Sequence, residues 1–301
     1  MADGLVQFTH FYNNLKITYE KEKNIYHYTS AEGAKDILVN QTLRFSDRYF
    51  LNDYSEGKYV FELCVQHIEE MLDPGEFRDS IKAYLEQRIK NPQIDCFYVY
   101  QCSFSTNKDS LCMWNYYTKS DSIKGFNLKF DKMEDYDLLK IKSKDGFGKL
   151  KVYSGKVIYD TDKQISTLKD VLNQFEKFTR RSSLPADMIA KYAVDKIAHI
   201  GEFFKKSCFG VEEEYRVSIS PVLNDDGTFM TIDYERKFRE KNGLFIPYID
   251  IEFNSESLVG ITMSPTLNPD DTIQSILSLT KNKYHNITKD SIVPSEIPIR
   301  Y

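Results

Sequence analysis

The sequence predicts an α+β fold. Segments with strand-like alternation are interspersed with segments of helical 3–4 spacing, and their order lacks the regular strand–helix–strand repeat of a parallel α/β sheet. No repeat of 20–50 residues and no Gly/Ser- or Pro-rich linker divides the 301 residues, so one domain over 1–301 is expected, with helical insertions at about 53–91 and 161–206. In chain order, residues 24–30 (NIYHYTS) read as a strand ending on Ser30, a good N-cap for a helix over about 31–39. Residues 42–46 alternate as a second strand. From Asp53 onward, Tyr59, Val60, Leu63, Cys64, His67, Ile68 and Met71 follow helical spacing. A break at Asp73-Pro74-Gly75 then leads into a second helix to about Lys90. The aromatic-rich run 95–105 predicts a strand, MWNYYT a short helix, and 125–130 and 149–159 two further strands. Met188, Ile189, Tyr192, Ala193, Ile197, Ile200 and Phe204 predict a helix over 185–206. Strands are expected at 212–220, 228–233, 244–253 and 257–263, and a helix near 269–279.

Composition narrows the function classes. Hydrophobic residues make up 41% and charged residues 28%, which suits a globular chain and is too apolar for a disordered one. Forty Lys+Arg against 45 Asp+Glu give a net charge of -5, which excludes a polycation while permitting a local basic face. The stretch 119–156 is such a face, with ten lysines against six acids; it suits single-stranded RNA, or equally a solvated hairpin. Cys64, Cys96, Cys102, Cys112 and Cys208 form no C-x-x-C pair, so a reducing compartment is expected and a zinc knuckle is not. The first residues lack the basic start and apolar core of a signal peptide and no run approaches 18 apolar residues, which predicts a cytoplasmic protein without a membrane span. His10, His27, His67, His199 and His285 have no ligand-like spacing, and no metal is expected.

P-loop, dinucleotide, zincin and nucleophile-elbow motifs are missing, and three polar clusters remain. The first is Tyr26-His27-Tyr28-Thr29-Ser30 with Arg44, Ser46, Asn52, Asp53 and Glu56. On a strand, Tyr26, Tyr28 and Ser30 share one face while His27 and Thr29 share the other, and the strand runs into a helix N-terminus that favours an anion such as a diphosphate. A half-buried strand with a capped helix accounts for the same residues. The second cluster, Ser103-Phe104-Ser105 followed by Met113-Trp114-Asn115-Tyr116-Tyr117, makes either a stacking wall for a planar ring or a core plug. The third is Glu212-Glu213-Glu214-Tyr215-Arg216, where a strand would put Glu212, Glu214 and Arg216 on one face. That is a solvated edge, or the equipment to hold ribose hydroxyls and stabilise an oxocarbenium-like centre.

Taken in order, these clusters and the terminal Pro294-Ser295-Glu296-Ile297-Pro298…Arg300 resemble a bacterial family of domains of unknown function related to the ADP-ribosyltransferase superfamily, over about 24–301. They also resemble the mRNA-modifying toxins of toxin–antitoxin–chaperone phage-defence systems. The resemblance implies a split mixed/antiparallel β-sheet core that uses NAD as substrate and transfers ADP-ribose with loss of nicotinamide. It implies RNA as acceptor, and a cognate antitoxin and a chaperone as partners. It places Glu214, Tyr28, His27 and Glu212 in catalytic roles, and Tyr26, His27, Tyr28, Thr29, Ser30, Arg44, Ser46, Asn52, Ser103, Ser105, Trp114 and Tyr117 around NAD. The His-Tyr-Glu and Arg-Ser-Glu patterns of the superfamily are each only partly met, which leaves open the residue that stacks on nicotinamide. A protein acceptor, a non-enzymatic recognition module and a metal-independent hydrolase are the alternatives. Read from sequence, Glu214→Gln changes one charged group and is expected to keep the fold.

Overall fold

The computed structural model describes residues 2–15, 17–51, 55, 57–91, 98–118, 123–131, 138–146 and 150–299. The first half comprises α1 (Ala2–Asn14), β1 (Asn24–Ser30), α2 (Ala31–Asn40), β2 (Thr42–Asp47), α3 (Tyr59–Met71), α4 (Glu76–Lys90), β3 (Tyr100–Ser105), α5 (Leu111–Tyr117), β4 (Gly125–Asp131) and β5 (Val152–Lys156). The second comprises α6 (Thr161–Thr179), α7 (Ala186–Gly201), β6 (Glu214–Ile219), β7 (Lys237–Lys241), β8 (Leu244–Glu252), β9 (Leu258–Met263), α8 (Pro269–Thr280) and β10 (Ile292–Pro294). The class is α+β with a sheet of mixed orientation: β9 and β10 run parallel and the other pairs antiparallel. The chain divides into two compact units.

The helical unit comprises residues 1–19, 51–96 and 157–209. Its core is the inward stripe of α3, α4, α6 and α7, with Phe61, Ile68, Ile81, Leu85, Leu168, Phe175, Ile189 and Ile197 buried together. Two buried polar groups inside it find partners. Gln164 donates to the carbonyls of Ile158 and Lys205 at 2.6 and 3.0 Å and accepts from Tyr59 Oη at 2.8 Å. Arg88 meets Asp195 at 2.6 Å.

The sheet unit comprises residues 20–50, 97–156 and 210–301. Its strand order is β10-β9-β4-β1-β3-β2-β8-β7, with β6 on β3 and β5 on β6. One strand therefore has three partners. Along one edge β3 pairs with β6 from Tyr100↔Ile219 to Ser105↔Glu214. On its other edge β3 pairs with β2 at Tyr100 and Gln101 and with β1 at Ser105, so β1 and β2 diverge at its middle and the sheet forks there. One face carries the main core, including Ile25, Phe45, Phe104, Leu128, Tyr215 and Ile249, roofed by Ile37 and Leu38 of α2 and Ile276 of α8. The opposite face carries a small cluster of Tyr28, Met113, Trp114 and Ile123, onto which Ile297 and Ile299 pack.

Local sequence explains these elements. Ser30 Oγ accepts from Gly33 N at 3.1 Å, the expected N-cap of α2. Gly125 lies opposite Ser30, and a Cβ there would meet the Thr29 carbonyl inside contact distance and Thr118 Cγ2 at 2.6 Å. Gly125→Ala is therefore expected to cost about 1–3 kcal/mol, read as a lowered urea midpoint.

The structure departs from the sequence expectations in definite places. Residues 228–233 form no strand; a turn at Gly227 (φ 81°) leaves only the single bridges Leu223↔Phe229 and Ser143↔Ile232. The expected strand over 212–220 begins at Glu214, because Ser207–Glu212 is a 3-10 turn and Glu213 has φ 44°. Strand β7, which the pattern did not announce, is a charged edge joined to β8 by Asn242-Gly243, both at positive φ, the dipeptide of a tight hairpin. Helices α1 and α6 are further elements that the sequence pattern does not separate out.

Candidate active site

The sheet gathers most of the expected polar residues onto one face. Tyr26 is opposite Ser105, Ser105 opposite Glu214, and Ser103 opposite Arg216, so these side chains lie on the same side. Arg44 and Ser46 lie on that side too, because Ser46 is opposite Gln101. His27 and Thr29 point to the main-core side, as the two-residue period requires. Glu212 does not share the strand face: it sits on the 3-10 turn, half-exposed, while Glu213 is exposed and Glu214 buried. Asn52, Asp53 and Glu56 lie outside the described residues.

The centre of the site is Ser103, at the fork. Its hydroxyl donates to Glu214 Oε1 at 2.6 Å, and its carbonyl accepts from His27 Nδ1 at 3.0 Å. Arg216 completes the carboxylate's surroundings, with Nε on Oε1 at 2.7 Å and a terminal nitrogen on Oε2 at 2.9 Å. Glu214 is 4% and Arg216 2% exposed, so this is a buried bidentate pair. Removing one partner of such a pair strands a buried charge, and the expectation that Glu214→Gln spares the fold is corrected accordingly.

Because a carbonyl can only accept, His27 carries its proton on Nδ1 and presents Nε2 as an acceptor. Burial lowers the His27 pKa, partly opposed by the Ser103 bond, so the ring is held neutral. The unfolded chain then takes up a proton that the folded chain refuses. Stability falls as pH drops from about 6.5 toward the lower folded pKa, by up to about 1.4 kcal/mol per pH unit. Urea titrations between pH 7.5 and 5 should show this slope, and His27→Gln should flatten it. Burial raises the Cys102 thiol pKa, and the Glu214 charge raises it further.

The aromatic cluster is built as a plug. Trp114 is 0% exposed; its Nε1 donates to Asp109 Oδ1 at 2.7 Å, and its ring meets Tyr28 edge-on at 4.8 Å. No face of Trp114 is open to a ligand ring in this conformation, so the core alternative describes it. Tyr28 Oη donates to the Asn107 carbonyl at 2.9 Å and accepts from Ser110 N at 3.0 Å, and burial raises its pKa. The loop after β3 is tied at its other end by Ser105 Oγ to the Glu212 carbonyl, at 2.8 Å, and by Asn107 Nδ2 to Glu213 Oε1, also at 2.8 Å. Residues 295–299 lie across the plug. Asp109 accepts from Ser295 Oγ at 2.7 Å and Glu296 N at 2.8 Å, while Ile297 and Ile299 face inward. Tyr26 and Tyr117 flank the plug, half-buried.

A model described as a protein of unknown function (DUF2971) matches residues 113–217. The match includes Trp114, Glu214 and Arg216 and leaves out His27, Arg44 and Ser103. No curated protein and no solved structure matches the chain.

Two roles here differ from the sequence expectations: Arg216 holds Glu214, and Asp109 accepts from three donors. The i, i+2 spacing of Glu214 and Arg216 was a visible signal for the first. Asp109 had none, because its partners come from 5 and about 186 residues away. Among the described residues no group of His, Cys, Asp and Glu could hold a metal ion, and no helix is long and apolar enough to cross a membrane. In the basic stretch, Lys142 pairs with Glu252 at 2.5 Å, Lys156 with Glu20 and Glu22 at 2.7 and 2.6 Å, and Lys144 donates to the Phe229 carbonyl at 2.7 Å. Lys119, Lys132 and Lys149 lie outside the described residues.

Proposed function

We propose that this chain is an NAD-dependent ADP-ribosyltransferase whose substrate lies over the fork between β1 and β2. The observation that carries the reading is the two-ended bond of Ser103, which fixes a neutral imidazole on one side and a buried carboxylate on the other. In this reading His27 works from the main-core face, holding the Ser103 carbonyl and with it the strand from which the Ser103 hydroxyl positions Glu214 toward the nicotinamide-side ribose. The C1′–N bond breaks, nicotinamide leaves with the bonding electrons, and positive charge develops on the sugar. Glu214 stabilises that charge, held in place by Ser103 and Arg216 so that little reorganisation is needed as it forms. The acceptor's oxygen or nitrogen then attacks C1′ and yields its proton to a carboxylate. The resemblance to RNA-modifying toxins supports RNA as the acceptor, with a cognate antitoxin and a chaperone as partners and the cytoplasm as the place of action.

Purified protein incubated with NAD labelled in the adenosine half, with and without total RNA or total protein, tests this. Release of nicotinamide with label transfer to RNA is the expected result. Release without transfer to RNA keeps the NAD chemistry and moves the acceptor to protein or water. Absence of nicotinamide release with every acceptor would overturn the enzyme reading. A second reading, a non-enzymatic partner-binding module, is favoured by the exposed Leu244 and Phe245 at the β7–β8 hairpin, 55% and 72% accessible.

A further inference from the structure

We propose that the sheet carries a phosphate-binding station on its β2–β8–β7 side, where Arg44, Lys237 and Arg239 surround Ser46 and the buried amide of Gln101. This station stands on its own geometry and does not depend on NAD chemistry.

The first observation is Gln101. It is 3% exposed, yet neither its Nε2 nor its Oε1 has a hydrogen-bond partner among the described residues. A folded protein rarely leaves both ends of a buried amide unbonded, and such a group points to an unfilled ligand position. The register places it in a polar row running straight across the strands, Ser218–Gln101–Ser46–Tyr248–Lys237, on the face away from the main core.

The second observation is an uncompensated charge beside it. Arg239 brings a terminal guanidinium nitrogen to 3.4 Å from Ser46 Oγ, while its Nε is buried without a hydrogen-bond partner among the described residues. Burial lowers the Arg239 pKa and the neighbouring Arg44 lowers it further, so two guanidiniums are held together against their repulsion. Among the described residues the carboxylate paired with this group is Asp250, shared by Arg44 at 3.4 Å and Lys237 at 3.3 Å. Among the described residues, three cations against one carboxylate leave a local surplus of two in a chain whose total is -5, which matches a phosphate dianion. Arg44 lies over the Tyr248 ring at 4.2 Å, which fixes the plane of its fork for bidentate contact.

The third observation is a gradient of access. The Arg44 and Lys237 side chains are each 43% exposed, whereas Ser46 and Gln101 are buried. A phosphate entering past the cations would receive Arg239 and Ser46 and end on the Gln101 amide. Gln101 precedes Ser103 by two residues on the same strand face, ~7 Å away. The phosphate can belong to a small nucleotide or to a polynucleotide backbone.

Calorimetric titration of the full chain with inorganic pyrophosphate at low ionic strength tests the station, with NAD and a single-stranded oligonucleotide as competitors. Saturable pyrophosphate binding is expected, weakened tenfold or more by Arg239→Gln and by Gln101→Leu. Gln101→Leu should also raise the melting temperature, because it removes two unbonded buried atoms; a merely structural glutamine would not combine the two changes. Arg44→Gln, at a half-exposed site, repeats the binding test if the buried variant fails to fold. Displacement by NAD assigns the phosphate to a small nucleotide, and displacement by the oligonucleotide alone assigns it to a polynucleotide. No binding of any of the three ligands, or binding that Arg239→Gln and Arg44→Gln leave unchanged, would overturn the station. Neither result requires NAD cleavage, so this test can fail while the transferase reading stands, and the reverse.

Discussion

Glu214→Gln is expected to lower the unfolding free energy by about 3–5 kcal/mol and NAD turnover by ~10²–10³-fold. The stability loss follows from the surroundings of the pair. Arg216, 2% exposed, loses the anion that its Nε and one terminal nitrogen bind, at 2.7 and 2.9 Å. The amide that replaces the carboxylate turns either an N–H₂ or a single acceptor toward it. Urea denaturation reads the first effect and nicotinamide release the second. The two separate in a double variant, Glu214→Leu with Arg216→Met. Removing both charges together is near neutral for many buried pairs, so this protein should recover most of its stability while staying inactive. If Glu214→Gln unfolds at the wild-type denaturant concentration, the pair is not supporting the sheet. If it releases nicotinamide at the wild-type rate, Glu214 is not the group that meets the sugar charge.

Trp114→Ala should cost a further large amount, about 3–5 kcal/mol, because it empties a fully buried position at the centre of the plug. The indole, carried by α5, is fully buried edge-on to Tyr28, and its N–H is one of three donors that hold Asp109. Trp114→Phe separates packing from hydrogen bonding. It keeps most of the ring volume, removes the N–H, and should cost about 1–3 kcal/mol. In both variants Asp109 grips Ser295 and Glu296 less firmly, so backbone amides of 295–299 should exchange hydrogen faster than in wild type. Unchanged exchange there would mean that Ile297 and Ile299, rather than Asp109, hold the segment down.

The fold was legible where local signals dominate. Ser30 followed by an amphipathic run announces α2, and the period-two alternation in 24–30 divides Tyr26 and Tyr28 from His27 as observed. Ser103, Glu214 and Arg216 stand in the polar clusters read from the sequence, whereas Asp109 does not. The grouping of these residues was not legible, since it depends on β3 pairing with three strands from distant parts of the chain. Glu212 and Glu214 looked equivalent in a run of three glutamates. A single residue at φ 44°, Glu213, turns one into a half-exposed turn residue and the other into a buried strand residue. β7 was missed because KFREK reads as a solvated charge run; only its partner β8 makes it a strand.

The fork at β3 also sets an order of assembly. Ser103 is opposite Arg216, roughly a hundred residues later in the chain, and Arg44 is opposite Asp250 across an even longer separation. During synthesis β3 therefore has no partner for its long edge until the helical unit has been made and β6 follows. Phe104 and Cys102, both buried in the finished sheet, remain without that neighbour in the interval. Contacts closed over such distances make folding slow, and they leave an unpaired strand edge available to other chains. Yield of this protein should accordingly depend more on synthesis rate and temperature than on the stability of the finished molecule.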